Sequence, residues 1–151
     1  LEVTSGRIVA THGLEPQLGK YYRSFCPHCL HLADQSRAVF VCPYCEQTMI
    51  PGVWDRIKEI ADWPGFTQIR PPYQAHVPLA MLVGIGPKTY GRMIQELGTE
   101  IDILYNVSLK SIERLVGASI AKQIELVRSG TLPIEPGGGG NYGRVAKSLE
   151  R

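Results

Sequence analysis

The chain has 151 residues, 44% hydrophobic and 20% charged, enough for one modest globular domain or two small ones. Its formal net charge of +2 is too mild to announce nucleic-acid binding and no bar to it, because a local basic face matters more than the total. No apolar run approaches the roughly 18 residues of a membrane span, and "LEVTSGRIVATHG" lacks the basic start and apolar core of a signal peptide, so the expected location is cytoplasmic.

The chain starts with Leu, which fits a fragment, a processed product or a trimmed chain. Residues 1–20 read as one short strand, Arg7 to Thr11, and a turn-rich connector. From Tyr21 to Ile50, the β-type stretches "YYRSF", "RAVFV" and "QTMI" surround two cysteine pairs, and Pro51-Gly52 ends the unit. In "VWDRIKEIAD", apolar residues at 53, 54, 57, 60 and 61 have the spacing of one helix face, which places Trp54 in the core. Trp63 to Tyr73 is broken by prolines and a glycine and reads as an extended linker.

From Val77 to Gly130 the pattern is helical. A short helix is expected near Pro78–Val83. A longer one covers Lys88–Leu97, with Pro87 at its first position and Gly98 just past its end. A third follows Ser108 as N-cap and runs to Val116, and a fourth follows Ser119 and stops at Gly130. The tail "PGGGGNYGRVAKSLER" reads as a flexible loop without helical period before Arg144; an amide nest for an anion is the alternative. The expected fold class is α+β: a small four-cysteine zinc-binding β-ribbon unit followed by an all-α unit. The expected divisions are 1–20 for the strand and connector, 21–73 for the zinc unit with its helix and linker, and 74–151 for the helical unit with its Gly-rich tail.

The four cysteines fall as Cys26-Pro-His-Cys29 and Cys42-Pro-Tyr-Cys45, twelve residues apart. A two-residue gap lets both thiolates of a pair face one ion from a tight turn, and two such knuckles complete a tetrahedral four-thiolate shell. Disulfides, a redox Cys-x-x-Cys and an iron site of the rubredoxin kind are the alternatives. Leu30 and Glu46 stand where the commonest knuckles place Gly, so the backbone there is less suited to a left-handed turn. A closed shell of this kind is structural, with no open position for substrate, and Zn2+ there supplies much of the folding free energy of so small a unit.

The stretch "VGIGPKTYGRM" fits no nucleotide fingerprint. A Walker loop needs Gly-x4-Gly-Lys-Ser/Thr, and a dinucleotide loop needs its third glycine earlier and a strand before it. It resembles a helix-hairpin-helix motif, carried by Leu82, Val83, Gly84, Ile85 and Gly86, with Lys88 and Thr89 opening the second helix. The glycines allow close approach to a phosphodiester, and the first amides of the helix face its oxygens, which reads the backbone and not the bases. A weaker copy, Val116-Gly117-Ala118-Ser119, precedes the last helix with its Lys122, and two hairpins in tandem can straddle a duplex backbone. The plainer alternative is that both glycines merely permit tight helix–helix turns in a small bundle.

Of the remaining residues, His28 is expected to face solvent and His31 to compete weakly as a ligand. Trp63 and Tyr73 are expected to pack in the linker, with base stacking as the alternative, and Arg70 beside two prolines is a candidate phosphate contact. No nucleophile–base pair and no His, Asp and Glu cluster at metal spacing suggests an active site in this chain.

The order of features, "GLEPQLGKYYRSFCPHC", "CPYC", "GVWDRIKEIAD", "RPPY", "VPL", the hairpins, "RSG" and "PGGGGNYG", resembles the C-terminal part of endonuclease Q from about Gly13 to Val145. The resemblance implies a family that cuts DNA 5′ of hypoxanthine, uracil and xanthine and at abasic sites. Its catalytic divalent metals would lie in an N-terminal domain of the polymerase-and-histidinol-phosphatase (PHP) type, absent here and the expected partner on the same or a separate chain. This chain would then be the DNA-binding, lesion-presenting portion, associated with the nucleoid, with damaged double-stranded DNA as its other partner. Tyr21, Tyr22 and Tyr73 are guesses for a base pocket. The rival readings are a zinc and helix-hairpin-helix accessory region of another DNA enzyme such as a DNA ligase, or a non-enzymatic protein-interaction module.

Overall fold

The computed structural model describes residues 2–4, 6–34, 36–62 and 70–147. Two compact units emerge: the first holds residues up to Gln74 together with Ile134–Arg144, the second Ala75–Pro133 with the residues from Val145 on.

The first unit opens with a hairpin, β1 (Glu2–Thr4) and β2 (Arg7–Leu14), antiparallel with an irregularity between Glu2 and Val3. The strand expected over Arg7–Thr11 is therefore three residues longer and has a partner on each side, the other being β3 (Tyr73–His76), in the order β1-β2-β3. The extended backbone forced by Pro71 and Pro72 becomes this third strand, which begins where Thr11 N–H meets Pro72 C=O at 2.9 Å. Trp63 and most of the expected linker lie outside the described residues.

Around the cysteines no continuous ribbon forms. The pairing consists of single bridges, Phe25 with Leu32 and with Ile50, and Val41 with Thr48. Each knuckle curls its chain after one bridge, which leaves no length for a ladder. The two knuckles repeat one pattern: Cys26 N–H bonds His31 C=O at 2.8 Å and Cys42 N–H bonds Gln47 C=O at 2.9 Å.

Helix α1 (Val53–Ile60) reverses the expected arrangement. Val53, Ile57 and Ile60 are each more than half exposed, and the buried residue is Asp55. Asp55 accepts from Ser24 N–H at 2.7 Å and from the Arg23 guanidinium at 3.2 and 3.3 Å, while Ser24 Oγ accepts from Gly52 N–H at 3.0 Å. A charged anchor has taken the inward face. Trp54, expected in the core, instead lies half-buried under Arg23 and Lys58, 4.3 and 5.3 Å from their cationic centres.

The glycine tail also departs from expectation. Residues Ile134–Arg144 belong to the first unit, and the loop is laid along residues 17–23 by backbone hydrogen bonds: Gly137 N–H to Gln17, Gly143 N–H to Leu18, Gly140 N–H to Lys20, and Arg23 N–H to Gly137. A Cβ at Gly137 or Gly143 would overlap neighbouring backbone, so the glycines are needed for close approach rather than for flexibility. Short strands β4 (Ile134–Glu135) and β5 (Arg144–Val145) close its base.

The second unit is helical: α2 (Pro87–Leu97), α3 (Leu109–Val116) and α4 (Ala118–Ser129). Its interior is Val77, Leu79, Leu82, Met93, Ile103, Leu104, Ile112, Ile124 and Val127. The segment expected to be a helix near Pro78–Val83 is a single 3-10 turn, Leu79–Met81, capped by Glu100, whose Oε1 accepts from Leu79 N–H at 2.8 Å. Between α2 and α3 lies a π-helical turn, Asp102–Asn106, with Val107 N–H bonded to Asp102 C=O. Arg128 of α4 donates to the carbonyls of Leu104, Ile103 and Val107 at 2.6, 3.0 and 2.6 Å, satisfying the end of that turn. Helix α4 ends as expected, with Gly130 left-handed and Thr131 N–H returning to Leu126 C=O. No helix among the described residues is long and apolar enough to cross a membrane.

Candidate metal centre and nucleic-acid interface

The four cysteine sulfurs lie within 4.8 Å of one another. The closest pairs are Cys29–Cys42 at 3.4 Å, Cys26–Cys45 at 3.5 Å and Cys29–Cys45 at 3.6 Å. Four sulfurs about 2.3 Å from a tetrahedral centre stand about 3.8 Å apart, so the donor set fits a metal ion such as zinc. A disulfide requires about 2.05 Å, and all four cysteines are free thiols. His31 is outside the cluster: its imidazole packs edge-on against Tyr44 with ring centres 4.6 Å apart. His28 is exposed, as expected.

The knuckles present backbone N–H groups to the sulfurs. Cys26 is drawn down to about 6, first by the N–H of Cys29, with burial opposing and Cys45 and the N–H of His28 assisting. Burial opposes ionisation of Cys42, but the N–H groups of Tyr44 and Cys45 lead a net lowering. The N–H of Gln47 favours the Cys45 thiolate, yet burial and the sulfurs of Cys26, Cys29 and Cys42 push it up to about 12. Cys29 is also raised, as Cys42 and burial outweigh the N–H of His31. The arrangement is that of four thiolates crowded for a cation: in its absence only part of the set ionises readily.

Leu30 and Glu46, doubted as turn residues, both adopt the left-handed conformation, with φ of 61° and 58°. The geometry is met by strain, of order 1 kcal/mol per residue, instead of by glycine.

In the helical unit, Gly84 is exposed with φ 89°, Ile85 is buried as the anchor of the loop, and Gly86 caps α2. Lys88 is exposed and Thr89 half-buried on the first turn. Gly117, with φ 92°, ends α3 and caps α4. Ser119, expected to open α4, is instead its second residue, because Gly117, at positive φ, turns the chain directly into the helix. Lys122 is exposed and paired with Glu125 at 2.7 Å. Gly84, Lys88 and Thr89 share a shallow groove of about 370 Å3 with Arg92, Leu115, Val116 and Ile120. Arg70 and Tyr73 belong to the first unit; Arg70 is exposed, and the Tyr73 hydroxyl donates to Leu14 C=O at 2.6 Å.

The chain was compared with known proteins. It aligns at 36% identity and TM-score 0.71 with the crystal structure of the lesion-specific endonuclease PfuEndoQ from Pyrococcus furiosus, over 92% of this chain and 38% of that one. The chain is similar to a part of endonuclease Q. A second endonuclease Q structure, in complex with a 27-mer duplex substrate bearing an abasic lesion at the active site, matches with the same identity and TM-score over 93% of this chain and 39% of its own. Among curated relatives, the uncharacterized proteins YqxK of Bacillus subtilis and MJ0043 of Methanocaldococcus jannaschii are 35% and 32% identical over 92% and 95% of this chain. The chain spans only 36% and 20% of their lengths. No family model matches.

Residues that sequence reading passed over are Gln123, Arg92, Glu100 and Asp55. Gln123 carried a signal: it interrupts the apolar stripe Ile120, Ile124, Val127 on the inward face of α4, and a polar residue there needs hydrogen-bond partners. Asp55 sits inside a pattern that reads more simply the other way round.

Proposed function

We propose that this chain is the DNA-gripping and lesion-presenting, C-terminal part of a DNA-repair endonuclease of the endonuclease Q kind. The observation that carries the reading is the 36% identity, sustained over 92% of the chain, to a lesion-specific endonuclease. The activity to which it contributes is cleavage 5′ of hypoxanthine, uracil and xanthine and at abasic sites. The catalytic divalent metals belong to a PHP-type domain in the share of the relatives outside the match.

In this reading the cysteine shell holds Zn2+ as a structural ion. Its closed coordination offers no site for substrate and fixes the two knuckles against each other. The loops at Gly84 and Gly117 act as tandem helix-hairpin-helix motifs. Ile85 buried under the first loop keeps Gly84 and Gly86 at the surface, where nothing lies within 4 Å of either Cα substituent position. Amides of the first turns of α2 and α4, with Lys88, Thr89, Ser119 and Lys122, meet phosphate oxygens. Arg70 and Tyr73 supply contacts from the first unit. A deaminated, mispaired base leaves the stack more cheaply than a paired one, so holding the flanking backbone while the nucleotide flips presents the lesion to the catalytic part.

The test is incubation of the metal-loaded chain, alone and with a separately produced PHP portion, on duplexes carrying one deoxyinosine or one deoxyuridine. The expected result is no cutting by the chain alone and 5′-side cutting by the combination. Cutting by the chain alone, or none by a combination in which both parts are folded, contradicts the proposal.

A further inference from the structure

The two glycine loops are tied to each other by one side chain. Gln123 is fully buried in α4, and its Oε1 accepts from Val83 N–H at 2.8 Å. Its Nε2 donates to Val83 C=O at 2.9 Å and, more distantly, to Ser119 C=O at 3.5 Å. Val83 immediately precedes Gly84, and Ser119 lies two residues beyond Gly117. One amide therefore joins the backbone before the first loop to the helix turn after the second.

Cohesion alone does not call for this residue. Filling space is the part of its role that an apolar side chain of equal size could take over, though that side chain would leave the N–H and C=O of Val83 without this partner. What the amide adds is direction: paired bonds to both the N–H and the C=O of Val83 fix that peptide in one orientation. One groove is lined by Gly84 of the first loop and by Val116 and Ile120, which flank the second. Lys88 and Arg92, one turn apart on α2, line the same groove. Arg92 also meets Glu96 at 3.2 Å, an exposed pair that phosphate can displace.

We propose that the two loops form a single clamp on the duplex backbone, that Arg92 is a further phosphate contact in it, and that Gln123 is the positioning residue that sets the loops in register. This rests on the reading that the helical unit holds duplex DNA.

The experiment is fluorescence anisotropy of the full metal-loaded chain with an undamaged 20-base-pair duplex between about 50 and 300 mM salt, where each lost phosphate contact lowers the salt slope by about 0.9. Arg92→Gln, on an exposed site, should lower the slope by about one and weaken binding several-fold. Gln123→Met, equal in length but unable to hold Val83, should lower it by about two and weaken binding about tenfold or more. Gln123→Glu keeps an oxygen for Val83 N–H and should fall between. Ile124→Val, in the same helix, should lower stability without moving the slope, separating register from mere folding. Unchanged slopes in folded Gln123→Met and in Arg92→Gln would overturn the inference while leaving duplex binding intact. If Gln123→Met does not keep its helical content, Arg92→Gln decides alone. Absence of duplex binding by the unaltered chain would sink the DNA reading itself, and this inference with it.

Discussion

The two units of this chain stay folded by different physics. Among the described residues around the cysteines, the buried apolar set is only Ala33 and Met49 beside Cys26 and Cys42, and the nearby interior is polar, with Ser24 and Asp55 fully enclosed. The helical unit buries Leu79, Met93, Ile103, Leu104, Ile112 and Ile124 completely. The first has a four-cysteine set that fits a metal ion, an ion pair and a glycine loop packed on backbone. The second is held by apolar burial, with Arg128 closing one helical end. A unit that depends on ligands and charges can present irregular loops that a hydrophobic core cannot build, and it is correspondingly exposed to a change of conditions.

Metal removal should separate the two most strongly. Structural zinc sites contribute roughly 10–16 kcal/mol in small peptides, more than so thin a core can replace. Chelation, or Cys42→Ser, should abolish amide protection across residues 21–50 while helical circular dichroism and protection in α2–α4 persist. Joint melting of both units would break the comparison. The pH dependence has a definite sign. Cys26, drawn down to about 6, and Cys42, also lowered, favour the thiolate, whereas Cys45, pushed up to about 12, and Cys29, also raised, give up protons on binding. Zinc titration at pH 7 should therefore release protons, from Cys45 and Cys29 first, and affinity should fall steadily as pH drops, more steeply below 6, where Cys26 protonates as well. Calorimetry in buffers of different ionisation enthalpy measures the count; none released would contradict the geometry.

Next in size is Asp55→Ala, which removes the buried carboxylate that the Arg23 guanidinium and Ser24 N–H share. Removing one member of a buried pair costs about 3–5 kcal/mol, and denaturant unfolding should show the loss in the first unit. A loss below about 1 kcal/mol would mean that the helix is held by Trp54 instead.

Arg128→Met tests the other side. It strips three carbonyls of a charged donor and should destabilise the helical unit by about 2–4 kcal/mol without altering metal affinity. The smallest effect is a gain: Leu30→Gly or Glu46→Gly relieves a left-handed backbone, offset in part by the freer unfolded chain, for about 0.5 kcal/mol each. Destabilisation by either would show that the exposed side chain contributes more than its backbone strain removes.

How much of this was legible depends on where the information is local. The cysteine spacing pointed to the four sulfurs that the fold brings together, because two-residue gaps leave little choice of geometry. Pro87 with Gly98, Ser108, and Gly130 marked helix ends within a residue or two, since caps act over one turn. The apolar spacing of Val53, Ile57 and Ile60 misled, because periodicity reports a face and not its direction, and the ion pair that turns Asp55 inward joins residues 32 apart in sequence. The glycine run misled for a similar reason: its partners, residues 17–23, are more than a hundred positions away. In the candidate interface, Gly84 and Gly117 were visible as loop residues, but Gln123 and Arg92 acquire meaning only when two hairpins share a groove.

The central claim is that this chain grips the DNA backbone through its glycine loops, and Gly84→Val with Gly86→Val tests it most directly. Neither site has a protein atom within 4 Å of an added Cβ, so the new bulk projects into open space; at Gly84 the positive φ also strains a valine, whereas Gly86, at φ −88°, takes it without that strain, and Gly86→Val alone is the cleaner arm. In a variant whose circular dichroism confirms the helical fold, duplex affinity should fall at least tenfold and the salt slope should flatten by about one or two. Unchanged affinity with an unchanged slope would contradict the account.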